Sequence, residues 1–427
     1  MPDVILPLGV RYTCLRCGQC CRSLEVTLTD EERARLLAAE GLGATAEMFG
    51  RIRGARGRQR WRLRPRPGGA CPFLDGDNLC RVHAALGHAA KPFAGRVFPF
   101  QFAATPAGVF VGCRFSCPAV VRGHGAELEA QRGEIQRLHK EHARTYEPPR
   151  EDEPARFFGH YKLPWRDLLR IEDQLLAFLL VNDLALPRRL LAGVRLVRRF
   201  VRTMVGRRAD ARVGVDPQAI LDGVRGKLGP ARLSAVERLL LRLGLAALVG
   251  GTPHWFRELS LGRRVAVRLR NVWRRLKMAL GVGRLPLPGD GRLIRLRQVP
   301  PPSAATLEPE SAAMLERYLV AKLSSQQFFG RACFSRSFAV GFEWLAGALA
   351  AIMWLAAARA AAEGRSEPGP ADIEYGIQQV DQGYNYLREL GGLSARLRAA
   401  LLWHWGTIEK LLSRLCSKAS EPEGMET

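Results

Sequence analysis

The chain is 427 residues long, with 47% hydrophobic and 25% charged residues. That is the composition of a globular protein of two or three domains, and it excludes a disordered or fibrous chain. The net charge of +24 comes almost wholly from arginine, gathered in the stretches 51–66, 188–208 and 263–297. These stretches lack the interleaved aromatics of a single-strand platform and any helix-turn-helix or finger signature, so nucleic acid ranks low as a partner. Solvated faces, peripheral contact with an anionic membrane and the field around an anionic cofactor stay open.

The first residues, Met1 to Pro7, have no basic segment followed by a long apolar one. A secretory signal is therefore not expected, and the expected compartment is the cytoplasm, where thiols stay reduced. Of ten cysteines, eight fall in the first 117 residues: Cys14, Cys17, Cys20, Cys21, Cys71, Cys80, Cys113 and Cys117, with Cys333 and Cys416 far downstream. Four thiols within eight residues are too dense for isolated buried cysteines, so metal or redox chemistry is the better reading. Overlapping Cys-x2-Cys steps wrap tight turns around an ion, and Gly18 supplies the left-handed backbone such a turn often needs. If the stretch is extended, the adjacent Cys20 and Cys21 point apart.

In chain order, Thr29-Asp-Glu-Glu32 is a capping box that opens an amphipathic helix to about Ala39. An arginine- and glycine-rich loop is expected from Gly50 to Gly69. Asp75-Gly76-Asp77-Asn78 is a turn that folds Cys71 and Cys80 towards each other, with the aspartates as turn residues because the spacing of a calcium loop is missing. A proline-bounded aromatic segment, Lys91 to Phe100, leads to a short strand at Val109–Gly112. Helical spacing then marks 126–145, 165–182, 188–204, 217–226, 233–249 and 265–280, punctuated near Pro148, Pro187, Gly229 and Pro253. A linker is expected between Leu285 and Pro302, then helices at 310–323, 338–362, 371–388 and 393–416, and a frayed tail from Ala419. Ser337 to Ala358 approaches the length of a membrane span. Its alanine and glycine content, its Glu343 and its flanking arginines fit a buried core helix better. The expected fold is mostly α: a small irregular α+β cysteine-rich domain, residues 1–125, packed on a multi-helix body made of a basic helical domain at 126–300 and a second at 301–418.

The order Cys14-x2-Cys17-Gly18-x-Cys20-Cys21, Cys71-Pro-Phe-Leu before Cys80-Arg-Val-His83, then Lys91-Pro92 and Arg96-Val-Phe-Pro-Phe100 resembles the YkgJ-type cysteine-cluster family over about residues 12–120. That family is known for zinc- or iron-chelating domains and includes flagellin lysine-N-methylases. Cys117-Pro118 is similar to a Cys-Pro of its longer members. Leu184–Leu190, Glu316–Val320 with Phe328-Phe329, and Tyr384-Asn385-Tyr386 resemble the helical half of the methylase branch. The chain departs from the pattern at Gly95, where the family usually has cysteine; Cys113 is an extra cysteine nearby.

Thiolates suit both zinc and iron-sulfur clusters, and spacing does not separate them. His83, three residues after Cys80, is the best placed nitrogen ligand, ahead of His88, His139 and His142, although each also reads as a surface histidine. No dinucleotide fingerprint, phosphate loop or nucleophile elbow is present. Any use of S-adenosylmethionine would then run through the cysteine domain. The resemblance implies an enzyme that methylates lysine on a flagellin-like protein, with Cys14, Cys17, Cys20 and Cys21 carrying the cluster. The alternative is a non-catalytic chelating scaffold. No catalytic base and no oligomeric state can be read from the residues.

Overall fold

The computed structural model describes residues 3–53, 59–143, 153–206, 215–228, 231–249, 256, 259–304, 307–384 and 392–416. The expected breaks at Pro148, Gly229 and Pro253, the Asn385-Tyr386 part of the resemblance and the tail from Ala419 lie outside them.

The N-terminal region holds β1 (Val4–Ile5), α1 (Gln19–Ser23), β2 (Thr27–Leu28), α2 (Asp30–Ala38), β3 (Phe49–Arg53), β4 (Gln59–Leu63), α3 (Arg81–Leu86), α4 (Phe93–Val97), β5 (Phe100–Thr105), β6 (Gly108–Cys113) and α5 (Pro118–Arg122). Two three-stranded sheets form, in the orders β1-β6-β5 and β2-β4-β3, with β1 parallel to β6 and the other pairings antiparallel. The capping box is present: Thr29 Oγ1 accepts from the Glu32 amide at 3.2 Å, and Glu32 returns the bond to the Thr29 amide at 2.9 Å. Glu32 also accepts from the Phe93 amide at 2.6 Å, so one carboxylate ties α2 to α4.

Within the segment expected as a loop from Gly50 to Gly69, residues 50–53 and 59–63 are instead strands, β3 pairing antiparallel with β4. Phe49 pairs with Leu63 and both are buried, while Arg51 faces Trp61 across the ladder. Arginine disguised the alternation. The Arg33 and Arg51 guanidiniums lie 4.1 and 5.3 Å from the Trp61 ring, so their charges rest on an aromatic surface.

The body contains α6 (Arg132–Ala143), a hairpin β7 (Ala155–Phe158) and β8 (Tyr161–Leu163), α7 (Trp165–Leu179), α8 (Leu186–Val205), α9 (Pro217–Arg225), α10 (Ala235–Val249) and α11 (Leu261–Leu280). A second hairpin, β9 (Arg284–Pro286) and β10 (Leu293–Arg295), occupies the expected linker. Then come α12 (Pro309–Ser324), α13 (Phe338–Ala362), α14 (Pro370–Tyr384), α15 (Leu393–His404) and α16 (Thr407–Leu415). The single helix expected at 393–416 breaks because Gly406 takes φ +64°, a left-handed conformation that glycine adopts without a Cβ clash.

α13 is apolar on every side, as a helix surrounded by others must be. It is long and apolar enough to cross a membrane, but 72% of its most apolar stretch is buried inside the protein. Its Glu343 meets Arg198 of α8 at 2.5 Å.

Two cores result. A small one packs Leu28, Leu36, Phe49, Leu63, Phe73 and Val82, with Cys71 and Cys80 against it. The large one is continuous from Val4 through Cys113, Phe115 and Cys117 to Leu415, so the β1-β6-β5 sheet shares its core with the helices. The fold is mostly α, with a small α+β cysteine-rich region packed on a multi-helix body.

Candidate metal centre

Four segments carry the eight N-terminal cysteines. Cys14 and Cys17 lie on the exposed approach to α1. Gly18 precedes that helix at φ +68°, as its place in the motif predicts, and an added Cβ would be strained there and would stand 2.6 Å from the Arg22 guanidinium and 3.1 Å from Asn78 Cβ. Cys20 and Cys21 follow on a helical turn, not on an extended stretch. Their side chains therefore diverge by about 100° instead of pointing to opposite faces, and their sulfurs stand 4.0 Å apart.

The second segment, Cys71 to Cys80, closes as expected. Asp75 Oδ1 accepts from the amides of Asp77 at 3.0 Å and Leu79 at 2.7 Å, and Leu74 bridges Cys80. The two segments are joined twice: the Cys71 amide donates to the Cys21 carbonyl at 2.7 Å, and Arg22 donates to the Asn78 side chain. Cys113 ends β6, opposite Phe100, and Cys117 precedes α5 at its N-cap. Both are buried.

The charges show which thiols feel one another. Cys20 is lowered to about 6, first by its hydrogen bond with Cys21 and then by the Lys91 ammonium, against the opposing effect of burial. Cys21 is raised, first by that same bond, then by burial and by the nearby charges of Cys20, Cys71 and Cys80. Burial pushes Cys71 up to about 11, with Cys80 and Cys20 adding to the rise. Burial likewise pushes Cys117 up to about 12, and Cys20 and Cys17 add to it. The phenol of Tyr12 is raised by burial and then by Cys14, Cys117, Cys20 and Cys113. Cys20 thus acts on Cys21, Cys71, Cys117 and Tyr12, Cys14 and Cys113 act on Tyr12 as well, and Cys17 acts on Cys117.

Among the described residues, no group of three or more Cys, His, Asp or Glu is arranged to hold a metal ion. The chemistry of the donors nevertheless fits a soft cation. Several thiols are half-buried or buried, and their anionic forms are penalised by burial and by each other, the situation that a bound cation relieves. A recess beside Cys71, lined by Leu24, Glu25, Arg62, Leu63 and Pro72, adjoins this region.

Gly95 lies on α4, where an added Cβ would meet only Lys91 Cε at 3.6 Å. The extra Cys113 is fully buried; burial raises it, the Lys322 ammonium opposes the rise, and Cys117 adds to it. The histidines have other company. The His83 and His88 rings pack edge to face at 5.5 Å, His88 Nδ1 is 3.9 Å from Glu134, and His139 packs on Phe102 at 5.2 Å. The side chain of His142 is outside the described residues. Sequence reasoning missed Tyr12 and Lys91 as the electrostatic frame of the thiols; Lys91 stood in the quoted Lys-Pro motif, and Tyr12 is two residues from Cys14.

Residues 13–114 match the family model CxxCxxCC, described as a putative zinc- or iron-chelating domain. The cysteine-rich N-terminal region carries this CxxCxxCC domain. The match takes in seven of the eight N-terminal cysteines and stops short of Cys117 and of the helical body. No curated protein and no solved structure matches the chain.

Proposed function

We propose that the protein binds zinc or iron through the thiolates of its CxxCxxCC domain. Cys20, Cys21, Cys71 and Cys80 form one donor set, and Cys14, Cys17, Cys113 and Cys117 supply the other. The observation that carries this reading is the meeting of the first two cysteine segments inside the matched domain, with the Cys20 and Cys21 sulfurs 4.0 Å apart and the Cys71 amide donating to the Cys21 carbonyl at 2.7 Å. Lys91 favours the Cys20 thiolate, the form that binds metal. A zinc ion would supply folding energy or Lewis acidity, and an iron-sulfur cluster would supply redox chemistry. A cytoplasmic home, where thiols stay reduced, belongs to this reading.

The narrower reading is a lysine methylase that passes the methyl group of S-adenosylmethionine to a lysine amine of a flagellin-like protein. The charges beside the thiols weigh against it. Lys91 faces Cys20 and Arg66 faces Cys71, and a cationic lysine substrate is repelled by such neighbours. A chelating or scaffolding role therefore ranks first.

The test is metal and sulfide analysis of the full chain purified without oxygen, with an absorption spectrum of the same sample. Bound zinc or iron that falls by at least half in Cys20→Ser and in Cys71→Ser is the expected result. Wild-type protein without metal, or both variants with a full complement, would defeat the proposal. A brown protein with sulfide would reopen the transferase reading, and a methylation assay would follow.

A further inference from the structure

We propose that α11 is a membrane-surface helix that seats the protein on an anionic lipid bilayer. This inference is independent of the metal reading. α11 has one buried face and one open apolar face. Val267, Asn271 and Met278 are buried towards the protein. The other apolar face is open: Leu261, Val265, Leu269, Val272, Leu276 and Leu280 recur at steps of four and three, which keeps them on one side of a helix. Together with Trp273 they are between 46% and 78% exposed. Seven large apolar side chains along a 20-residue helix form a stripe of about 30 Å, far beyond the scattered single hydrophobics of an ordinary surface. α10 packs along α11 and adds exposed Val236 and Leu239.

Charge identifies the occupant. Arg264, Arg268 and Arg275 line one flank of the stripe, Arg263, Arg270 and Lys277 line the other, and the helix contains no acidic residue. An apolar face bordered by long cationic side chains, with a tryptophan among them, is the pattern of a helix lying in the headgroup plane. The stems reach along the apolar surface while the charges meet lipid phosphates and carboxylates. A second copy of this chain would bring the same six cations onto the same face and be repelled. Nucleic acid would satisfy the arginines but leave the leucines without a partner.

The experiment is co-sedimentation of the full chain with vesicles of phosphatidylcholine alone and of phosphatidylcholine containing roughly one third phosphatidylserine. Binding to the anionic vesicles and little to the neutral ones is expected. The double variant Leu269→Glu/Leu276→Glu alters only exposed side chains, and unchanged circular dichroism would show that it folds. It should weaken binding at least about tenfold, and Arg263→Gln and Arg270→Gln about fivefold each. The proposal is overturned if wild type ignores the anionic vesicles, if it binds both kinds equally, or if the leucine variant binds as wild type does. It is overturned as well if the chain alone is a dimer that the leucine variant dissolves, because a second copy would then cover the stripe.

Discussion

Glu172 shows how one residue can set a pH dependence. It is buried on α7, and its carboxylate accepts from Gln326 Nε2 at 3.2 Å. Burial raises it from 4.5 to about 8, with the Gln326 bond opposing and Asp173 adding. The unfolded chain releases this proton near 4.5, whereas the folded chain keeps it to about 8. Between those values the folded state holds more protons, so its contribution to stability is full below pH 4.5, falls as pH rises, and levels off above about 8. The loss amounts to about 3–5 kcal/mol. Glu172→Gln has no proton to release. Urea unfolding at pH 5 and pH 8 should therefore show a smaller stability difference in the variant than in wild type, and equal differences would rule the account out.

The same scale separates what was legible among the cysteines. Their clustering and the turn at Gly18 could be read directly, because Cys-x2-Cys spacing and a left-handed glycine are local properties. That Cys20 is held low while Cys21 is held high could not. The difference depends on a 4.0 Å sulfur contact and on Lys91, seventy residues away along the chain.

Among the elements, helices with strong periodicity were legible to within a few residues, and α13 coincides with its expected span of 338–362. The short strands were not. β3 carries Arg51 and Arg53 in phase with buried Phe49, where alternation would have shown apolar residues, and β9 and β10 are three residues each, too short for a pattern. Contacts between elements are equally invisible beforehand. Gly193 of α8 faces α13 so closely that an added Cβ would stand 2.7 Å from Phe342 and 3.1 Å from Leu175. Gly193→Ala should therefore destabilise the protein by about 1–3 kcal/mol through overpacking, despite the better helix propensity of alanine. An unchanged denaturant midpoint would mean that the α8–α13 contact is loose.

At the scale of the molecule, a buried ion pair within the body holds the cysteine region through the Ser116 amide. Lys322 of α12 and Asp381 of α14 meet at 2.5 Å, each 2% exposed, and Asp381 also accepts from the Ser116 amide at 2.9 Å. Ser116 lies between Cys113 and Cys117, so the pair braces the backbone that presents both thiols. Asp381→Ala strands a buried ammonium and should cost about 3–5 kcal/mol. The apolar double variant Lys322→Met/Asp381→Leu should be less destabilised than the single one, as calorimetry can compare. A double variant worse than the single would mean that the Ser116 bond, and not the ion pair, dominates.

The sequence by itself determined the helical class, the density of soft ligands at one end and the excess of arginine, because composition, periodicity and short motifs carry those properties locally. Only the tertiary structure decided where they meet. It divided the cysteines between a small core and the large one, turned some arginines inward, as Arg198 turns onto Glu343, and left the apolar stripe of α11 facing out. The physical reason is that periodicity states that a helix has an apolar face, whereas only the packing of distant segments determines whether that face is covered.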